Sequence, residues 1–392
     1  MGYFETFYFG QIGMAHNRNL FRITRVILIK IPKILRFFGK FRKPQKKILI
    51  IKTDAIGDYI LFRNFIEELK ISAQFSDYTI DVLGNPLWKD LALQYDAPFV
   101  NQFIFTKAEG LYDKPWQTLK LGWQLFSNNY SLVLQPSYSR TFINDGLAGL
   151  TAAKQVIGFE SDNERIITKY KNKTDHFYTR LLPLPEYVYF EFDRTRYFFE
   201  SVLGQKLGLN GPSIGDFGAD KKGIVIFPGA GIVKRTWEAD KFLALIKLIR
   251  EQTQATLYLA GGPGEVAIGD FVQQNLPPGA VTNLVNKTTL PGLIDLIGGA
   301  ALIVSNETSA IHIASATKTN CVCILGGGHF ERFAPYPLHI INRPICVYEK
   351  MPCYYCNWDC IYPTHATAPH PCVSNVFVSN VWQAVAPLLP VV

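Results

Sequence analysis

The chain has 392 residues, of which 48% are hydrophobic and 18% charged, with a formal charge of +8. That length exceeds one ordinary core and suits two domains of roughly 150–200 residues each, and the composition excludes a disordered or low-complexity chain. The positive charge does not mark a nucleic-acid-binding fold: residues 16–47 hold 11 Lys and Arg and no acid, more than the whole surplus, so the remainder is net acidic.

Residues 1–45 read as a basic amphipathic segment. Apolar residues are interleaved with the cations from Arg18 to Lys47, and no stretch reaches the roughly 18–20 uncharged apolar residues of a membrane span. Helical spacing puts Lys33, Arg36, Lys40 and Lys43 on one face and Ile34, Leu35, Phe38 and Phe41 on the other. Pro32 is expected to break or start a helix here. A helix of this kind suits an anionic membrane surface; the alternative is a helix packed on the core with its charged side solvated. The apolar run is interrupted by charge and lacks a small-residue cleavage site, which argues against a secretory signal. The expected location is cytoplasmic, at the inner face of the cytoplasmic membrane.

Strands are expected at Ile48–Ile51, Thr79–Leu83, Phe103–Phe105, Leu132–Leu134 and Val156–Gly158, with helices between them at Ile60–Ile71 and Trp116–Phe126. The rhythm restarts with strands at Ile224–Phe227, Thr256–Leu259, Asn283–Val285, Leu302–Val304 and Val322–Leu325, and helices at Phe242–Ile249, Leu290–Ile297 and Ala310–Ala316. Strands apolar on both faces that alternate with helices argue for parallel, doubly wound sheets. The fold class is therefore α/β, with two Rossmann-like domains facing a cleft. The first domain is expected over residues 46–205, a glycine-rich linker over 206–222, the second domain over 223–375, and a closing helix over 376–392.

Four blocks carry chemistry. In Ile48–Asp58 a buried strand runs into a short loop at Gly57, and Asp58 points into the cleft, the alternative being that Asp54 or Asp58 merely caps the following helix. Phe227–Glu238 follows the first strand of the second half; its Gly229 suits close phosphate approach, and Lys234 and Arg235 supply positive charge for a diphosphate. The alternative is a surface loop with ordinary basic residues. Leu259–Glu265 ends a strand in a glycine-rich turn, and Glu265 is placed to accept hydrogen bonds from a ribose. Val304–Ala314 ends a strand and opens a helix at Glu307, Thr308 and Ser309, whose free amides favour a diphosphate. His312 lies on the first turns of that helix, where a histidine is usually structural.

As a set, in this order and spacing, the blocks resemble glycosyltransferase family 9, the ADP-heptose:lipopolysaccharide heptosyltransferases, over residues 46–340. The first resembles the family's strand-Asp-x-x-Gly-Asp start, the second its Pro-Gly-x…Lys-x-Trp loop, and the fourth its Asp-Thr-Gly-x-x-His-x-Ala block. The resemblance implies a GT-B-type fold, an acceptor-facing first domain and a donor-binding second domain. It implies Asp58 as catalytic base, with diphosphate contacts at Lys234 or Arg235 and at Thr308 and Ser309. It also implies an ADP-heptose donor and a lipopolysaccharide or similar glycolipid acceptor. The chain departs from the family at Glu307, where an Asp is usual, at Ser309, where a Gly is usual, and in a basic loop offset by one residue before Trp237. The reaction implied is an inverting transfer. No Asp-x-Asp pair occurs in the chain, which fits a leaving group held by amides and cations, with no cofactor required for the chemistry. The readings kept beside it are an epimerase-like or a non-catalytic nucleotide-sugar-binding protein of the same shape.

Of seven cysteines, Cys321 and Cys323 alternate in an apolar run as buried strand residues. Cys353, Cys356, Cys360 and Cys372 cluster beyond the last βα unit and suit a structural zinc or iron, against free thiols, a disulfide or packing. The closing helix is expected at Val376–Leu389, crossing back to the first domain as such helices often do in the fold that the resemblance implies.

Overall fold

A computed structural model describes residues 17–390. Residues 1–16 of the expected N-terminal segment, and residues 391–392, lie outside it.

The first sheet contains β1 (Gln45–Lys52), β2 (Thr79–Gly84), β3 (Gln102–Phe105), β4 (Tyr130–Gln135), β5 (Gln155–Phe159) and β6 (Arg180–Leu182), ordered β3-β2-β1-β4-β5-β6 and parallel throughout. Around it run α1 (Arg18–Gly39), α2 (Ile56–Phe62), α3 (Asn64–Ile71), α4 (Lys89–Tyr95), α5 (Pro115–Ser127), α6 (Phe142–Leu150), α7 (Thr168–Thr174) and α8 (Glu191–Leu203). The second sheet contains β7 (Ile224–Phe227), β8 (Leu257–Leu259), β9 (Thr282–Asn283), β10 (Leu302–Asn306), β11 (Asn320–Ile324) and β12 (Ile345–Val347), ordered β12-β11-β10-β7-β8-β9 and again parallel. Its helices are α9 (Ala239–Gln252), α10 (Val266–Gln274), α11 (Leu290–Gly299), α12 (Ser309–Ala316), α13 (Pro371–Ser374) and α14 (Val378–Val385).

Both sheets have the same doubly wound order, and the strand order reverses between β1 and β4 in one and between β7 and β10 in the other. Ligands in such sheets bind beyond the carboxyl ends of the strands at that reversal. Three of the four sequence blocks follow β1, β7 and β10, so the topology alone puts them at the two reversal points. Strands buried on both faces explain why the runs read as continuously apolar: Ile48, Leu49, Ile50 and Ile51 are all fully buried. The two halves meet where α2 packs on α12 and α4 on α11.

Two expectations are corrected. Pro32 does not break its helix; α1 runs unbroken for 22 residues through it. The ring removes the bond to the Leu28 carbonyl, but Leu28 and Pro32 are buried against α6 at two glycines. A Cβ on Gly146 would meet the Leu28 side chain at 2.6 Å, and one on Gly149 would meet Pro32 Cβ at 3.1 Å. This close helix contact offsets the lost bond and makes α1 a layer of the first domain's core. The C-terminal helix does not cross back: α14 packs on α9, β11 and β12 of its own half. Trp237 anchors that end, fully buried with Nε1 donating to the Val376 carbonyl at 2.9 Å.

Candidate functional site

Lys52 ends β1 and is buried, so its charge must be partnered. Its Nζ lies 2.9 Å from Asp54 Oδ2 and donates to Ser137 Oγ at 3.3 Å. Ser137 Oγ donates to Asp54 at 2.5 Å, and an Arg165 Nη lies 3.0 Å from the other Asp54 oxygen. Burial works against the Asp54 charge, but Lys52 and Arg165 outweigh it and hold this carboxyl well below its usual range. Asp54 is thus a fixed anion and not a helix cap.

Asp58 is the third residue of α2, whose N-cap is Ala55 with no side-chain capping bond. The capping alternative therefore fails for Asp58 too. Its carboxyl titrates differently from Asp54. Burial first, then the Asp54 and Glu191 carboxylates, raise its pKa to about 6, against opposing pulls from Lys52 and Arg332. Two carboxylates four residues apart are thereby pushed in opposite directions, one permanently charged and one poised to take a proton near neutrality.

Arg332 comes from the loop after β11. It pairs with Glu164 at 2.6 Å and Glu191 at 3.4 Å and donates to Ser139 Oγ at 3.0 Å, tying the second half to the first beside Asp58. Burial pushes the Glu191 carboxyl up, but Arg332, Arg194 and Lys52 outweigh it and keep it ionised. Neither Arg332 nor Glu191 carried a sequence signal, because each sits outside the four blocks and they pair across 141 residues.

Across the cleft, Gly57 meets α12. A Cβ there would lie 2.8 Å from His312 Cδ2, so only glycine lets the helices approach this closely. His312 Nδ1 is 2.6 Å from the Tyr336 hydroxyl, and burial lowers its pKa to about 3. The ring is neutral and serves the contact between the halves. Thr308 is the N-cap of α12 and makes no side-chain capping bond. Thr308, Ser309 and the first helical amides therefore form an anion-ready end.

Arg235 lies against this end. It donates to the Glu307 carbonyl at 3.3 Å, approaches Glu307 Oε1 at 3.5 Å, and stacks 4.4 Å from the Trp358 ring centroid. Lys234 turns away, donating to Thr364 Oγ1 at 2.9 Å. Glu307 is buried, and its Oε2 has no hydrogen-bond partner. Burial raises its pKa to about 7, with Arg235 pulling it back. Gly229 and Glu265 are brought together: Glu265 Oε2 accepts from the Gly262 amide at 2.7 Å, and a Cβ on Gly229 would meet Glu265 Cδ at 2.5 Å.

The cysteine loop reaches the same place by a different route. Trp358 Nε1 donates to His329 Nδ1 at 3.2 Å, and Tyr354 and Trp358 fill the space over Gly326, Gly327 and Gly328. A cavity of about 300 Å³ lies between this loop and the basic loop, lined by Lys234, Trp358, Cys360, Thr364 and His370 among others. Cys353, Cys356, Cys360 and Cys372 are free, and Cys372 is pushed up to about 11, first by burial and then by the other three thiols. Among the described residues no group of three or more His, Cys, Asp or Glu is arranged to hold a metal ion. The metal set expected from the cysteine spacing does not fit this arrangement. Aromatic packing on three glycines holds the loop here.

Two facing doubly wound domains, with a near-neutral carboxylate on one side and an arginine beside a free helix start on the other, define a GT-B-type glycosyltransferase. The sequence profile of glycosyltransferase family 9 (heptosyltransferase) matches residues 147–356, and the chain belongs to that family. Lipopolysaccharide heptosyltransferase 3 of Escherichia coli K12 is 26% identical over 310 residues, covering 76% of this chain and 87% of that protein. The glycosyl transferase family 9 structure from Veillonella parvula superposes with a TM-score of 0.66 at 17% identity, covering 89% of this chain and 98% of that one. An E. coli heptosyltransferase solved with ADP-2-deoxy-2-fluoro heptose gives 0.62 at 16% identity, covering 87% and 99%.

Proposed function

We propose that this glycosyltransferase moves a heptose from ADP-heptose onto a lipopolysaccharide-core or similar glycolipid acceptor, with inversion, at the inner face of the cytoplasmic membrane. The carrying observation is the placement of Asp58 at the first reversal point and of Arg235 and the α12 start at the second. Asp58 takes the proton from an acceptor hydroxyl. The hydroxyl oxygen bonds to the anomeric carbon as the bond from that carbon to the diphosphate oxygen breaks. Charge grows on the departing ADP, where Arg235 and the amides at Thr308–Ser309 stabilise it. Lys52, Asp54 and Arg332 fix the field around Asp58. No metal or cofactor takes part in any of these steps. Support for the donor comes from the relatives, whose names or bound ligands specify heptose transfer and an ADP-heptose analogue.

The test is a thermal-shift screen against ADP, UDP, GDP and CDP. A ligand that binds only the folded state raises the apparent stability, by about 2.7 kcal/mol at a hundredfold excess over Kd. A shift with ADP alone supports the reading. A shift with UDP or GDP alone overturns the donor.

Glu307 makes nucleotide binding pH-dependent. Above about pH 7 its carboxylate is charged, repels a diphosphate and competes for Arg235; below, it is neutral. One such repulsion at about 6 Å and an effective dielectric near 20 exceeds 1.4 kcal/mol, about tenfold in affinity. The ADP Kd should therefore rise by about tenfold from pH 6 to pH 8.5 relative to Glu307→Gln, measured side by side so that the titration of ADP itself cancels. Parallel profiles would remove Glu307 from the donor site.

A further inference from the structure

The outer side of α1 is not explained by its packing. Its inner side is spent on α6, with Thr24, Ile27, Leu28, Ile29 and Pro32 buried. At 100° per residue the remaining surface divides lengthwise. Arg18, Arg22, Lys33 and Arg36 fall on one flank, continued by Lys40 at the C-cap; Ile23, Ile34 and Phe38 fall on the other, with Lys30 at its edge, and Phe41 follows in the turn after the helix. Phe37 lies between them. Phe37, Phe38 and Phe41 form a connected cluster, with ring centroids 5.6 and 5.7 Å apart, yet they are 58%, 56% and 78% exposed. Three clustered rings left in water at the end of a helix with no acid mark a surface that meets something apolar and negatively charged.

The apolar surface continues onto α5, which packs beside α1. Arg42 stacks 4.1 Å over the Phe126 ring, and Phe126 lies 5.8 Å from Trp123. Trp123 is 64% exposed and Trp116, two turns earlier, 78%. Tryptophan with an apolar body and a polar N–H suits the boundary between lipid and water. No helix among the described residues is long and apolar enough to cross a membrane.

We infer that α1 and α5 together form a rigid docking face for an anionic phospholipid bilayer, with Phe37, Phe38, Phe41 and Trp123 entering the headgroup boundary and the basic flank of α1 on lipid phosphates. This inference deepens the proposed function and rests on its reading of a lipid-anchored acceptor. Electrostatics and apolar burial act on the same helix, which is the combination that holds proteins at such surfaces. Because α1 is core to the first domain, docking it also fixes the orientation of the β1 and β4 strand ends. A flexible tether would not. Lipid contact therefore presents Asp58 to an acceptor at a set height above the bilayer.

Truncation would uncover Gly146, Gly149 and the core beneath α1, so exposed-site variants provide the test. The full chain and the triple variant Phe37→Ser/Phe38→Ser/Phe41→Ser are sedimented with vesicles of phosphatidylcholine alone or containing a quarter phosphatidylglycerol. The full chain should partition onto the anionic vesicles, and the triple variant about tenfold less or worse. Lys33→Glu/Lys40→Glu should lose the preference for anionic lipid. Phe41→Trp should gain quenching by brominated lipid beyond that of the unaltered chain. Unchanged partitioning of the triple variant, absence of added quenching, or duplex DNA bound as tightly as anionic vesicles would each overturn the face. ADP thermal shifts and transfer to a water-soluble, delipidated acceptor are read in parallel. If the variants leave the membrane but no protein transfers heptose, the docking face stands and the heptosyltransferase reading falls.

Discussion

Asp58→Asn is expected to lower kcat for transfer by about 10³ while leaving ADP affinity within about threefold. A positioned general base contributes roughly 10²–10⁴, and Asn keeps the size and the half-buried setting while removing the proton acceptor. The parent pH profile checks the assignment independently. With a pKa of about 6 the active form is the carboxylate, so at saturating donor kcat/KM for the acceptor should fall about tenfold per pH unit below 6 and level off above about 7. The variant's residual rate should lack that limb. Loss of fold is excluded by sign. Raising the folded pKa of an acid means the native state holds the proton more tightly than the unfolded chain. That contribution to stability is lost as pH rises through about 4 to 6, so at pH 7.5 the ionised Asp58 is a liability. Asn removes it, and the variant should melt no lower than the parent. Unchanged kcat with an unchanged profile would dismiss Asp58 as the base.

Most of this site was legible because the topology does the assembling. Blocks at the ends of β1, β7 and β10 converge once the strand order is known; apolar strands alternating with helices imply the parallel doubly wound sheets, and the structure supplies the order. What escaped the sequence had no local signature. β6 and β12 are three-residue edge strands, too short to show a period. Arg332, Glu164 and Glu191 meet only because the loop after β11 reaches the first domain, and no spacing rule joins residues this far apart. Pro32 misled because helix propensity is local, whereas the contacts of Leu28 and Pro32 with Gly146 and Gly149 are tertiary. The cysteine spacing suggested a ligand set; among the described residues no such set is assembled, and Tyr354 and Trp358 packed on glycines account for the loop's shape.

The loop offset before Trp237 left two cations for one role, and their partners separate them. Arg235 is held at the start of α12 by the Glu307 carbonyl and carboxyl on one side and the Trp358 ring on the other. Lys234 is engaged with Thr364. Arg235→Ala should therefore lower kcat/KM by about 10²–10³, the usual effect of removing one group that stabilises developing charge, and should abolish most of the ADP thermal shift. Lys234→Ala should cost about tenfold less. Arg235→Lys restores charge but not the planar fork or the stack on Trp358, so it should recover only part of the rate. Deleting the guanidinium also leaves Glu307 buried without its cation; its pKa then rises further and it takes up a proton, which limits the structural damage. The double variant Arg235→Ala/Glu307→Gln separates the two effects. If the loss comes from missing diphosphate contacts, the double variant stays as slow as Arg235→Ala. If it comes from an uncompensated carboxylate, the second substitution restores the rate, and the leaving-group role passes to the amides of α12 alone.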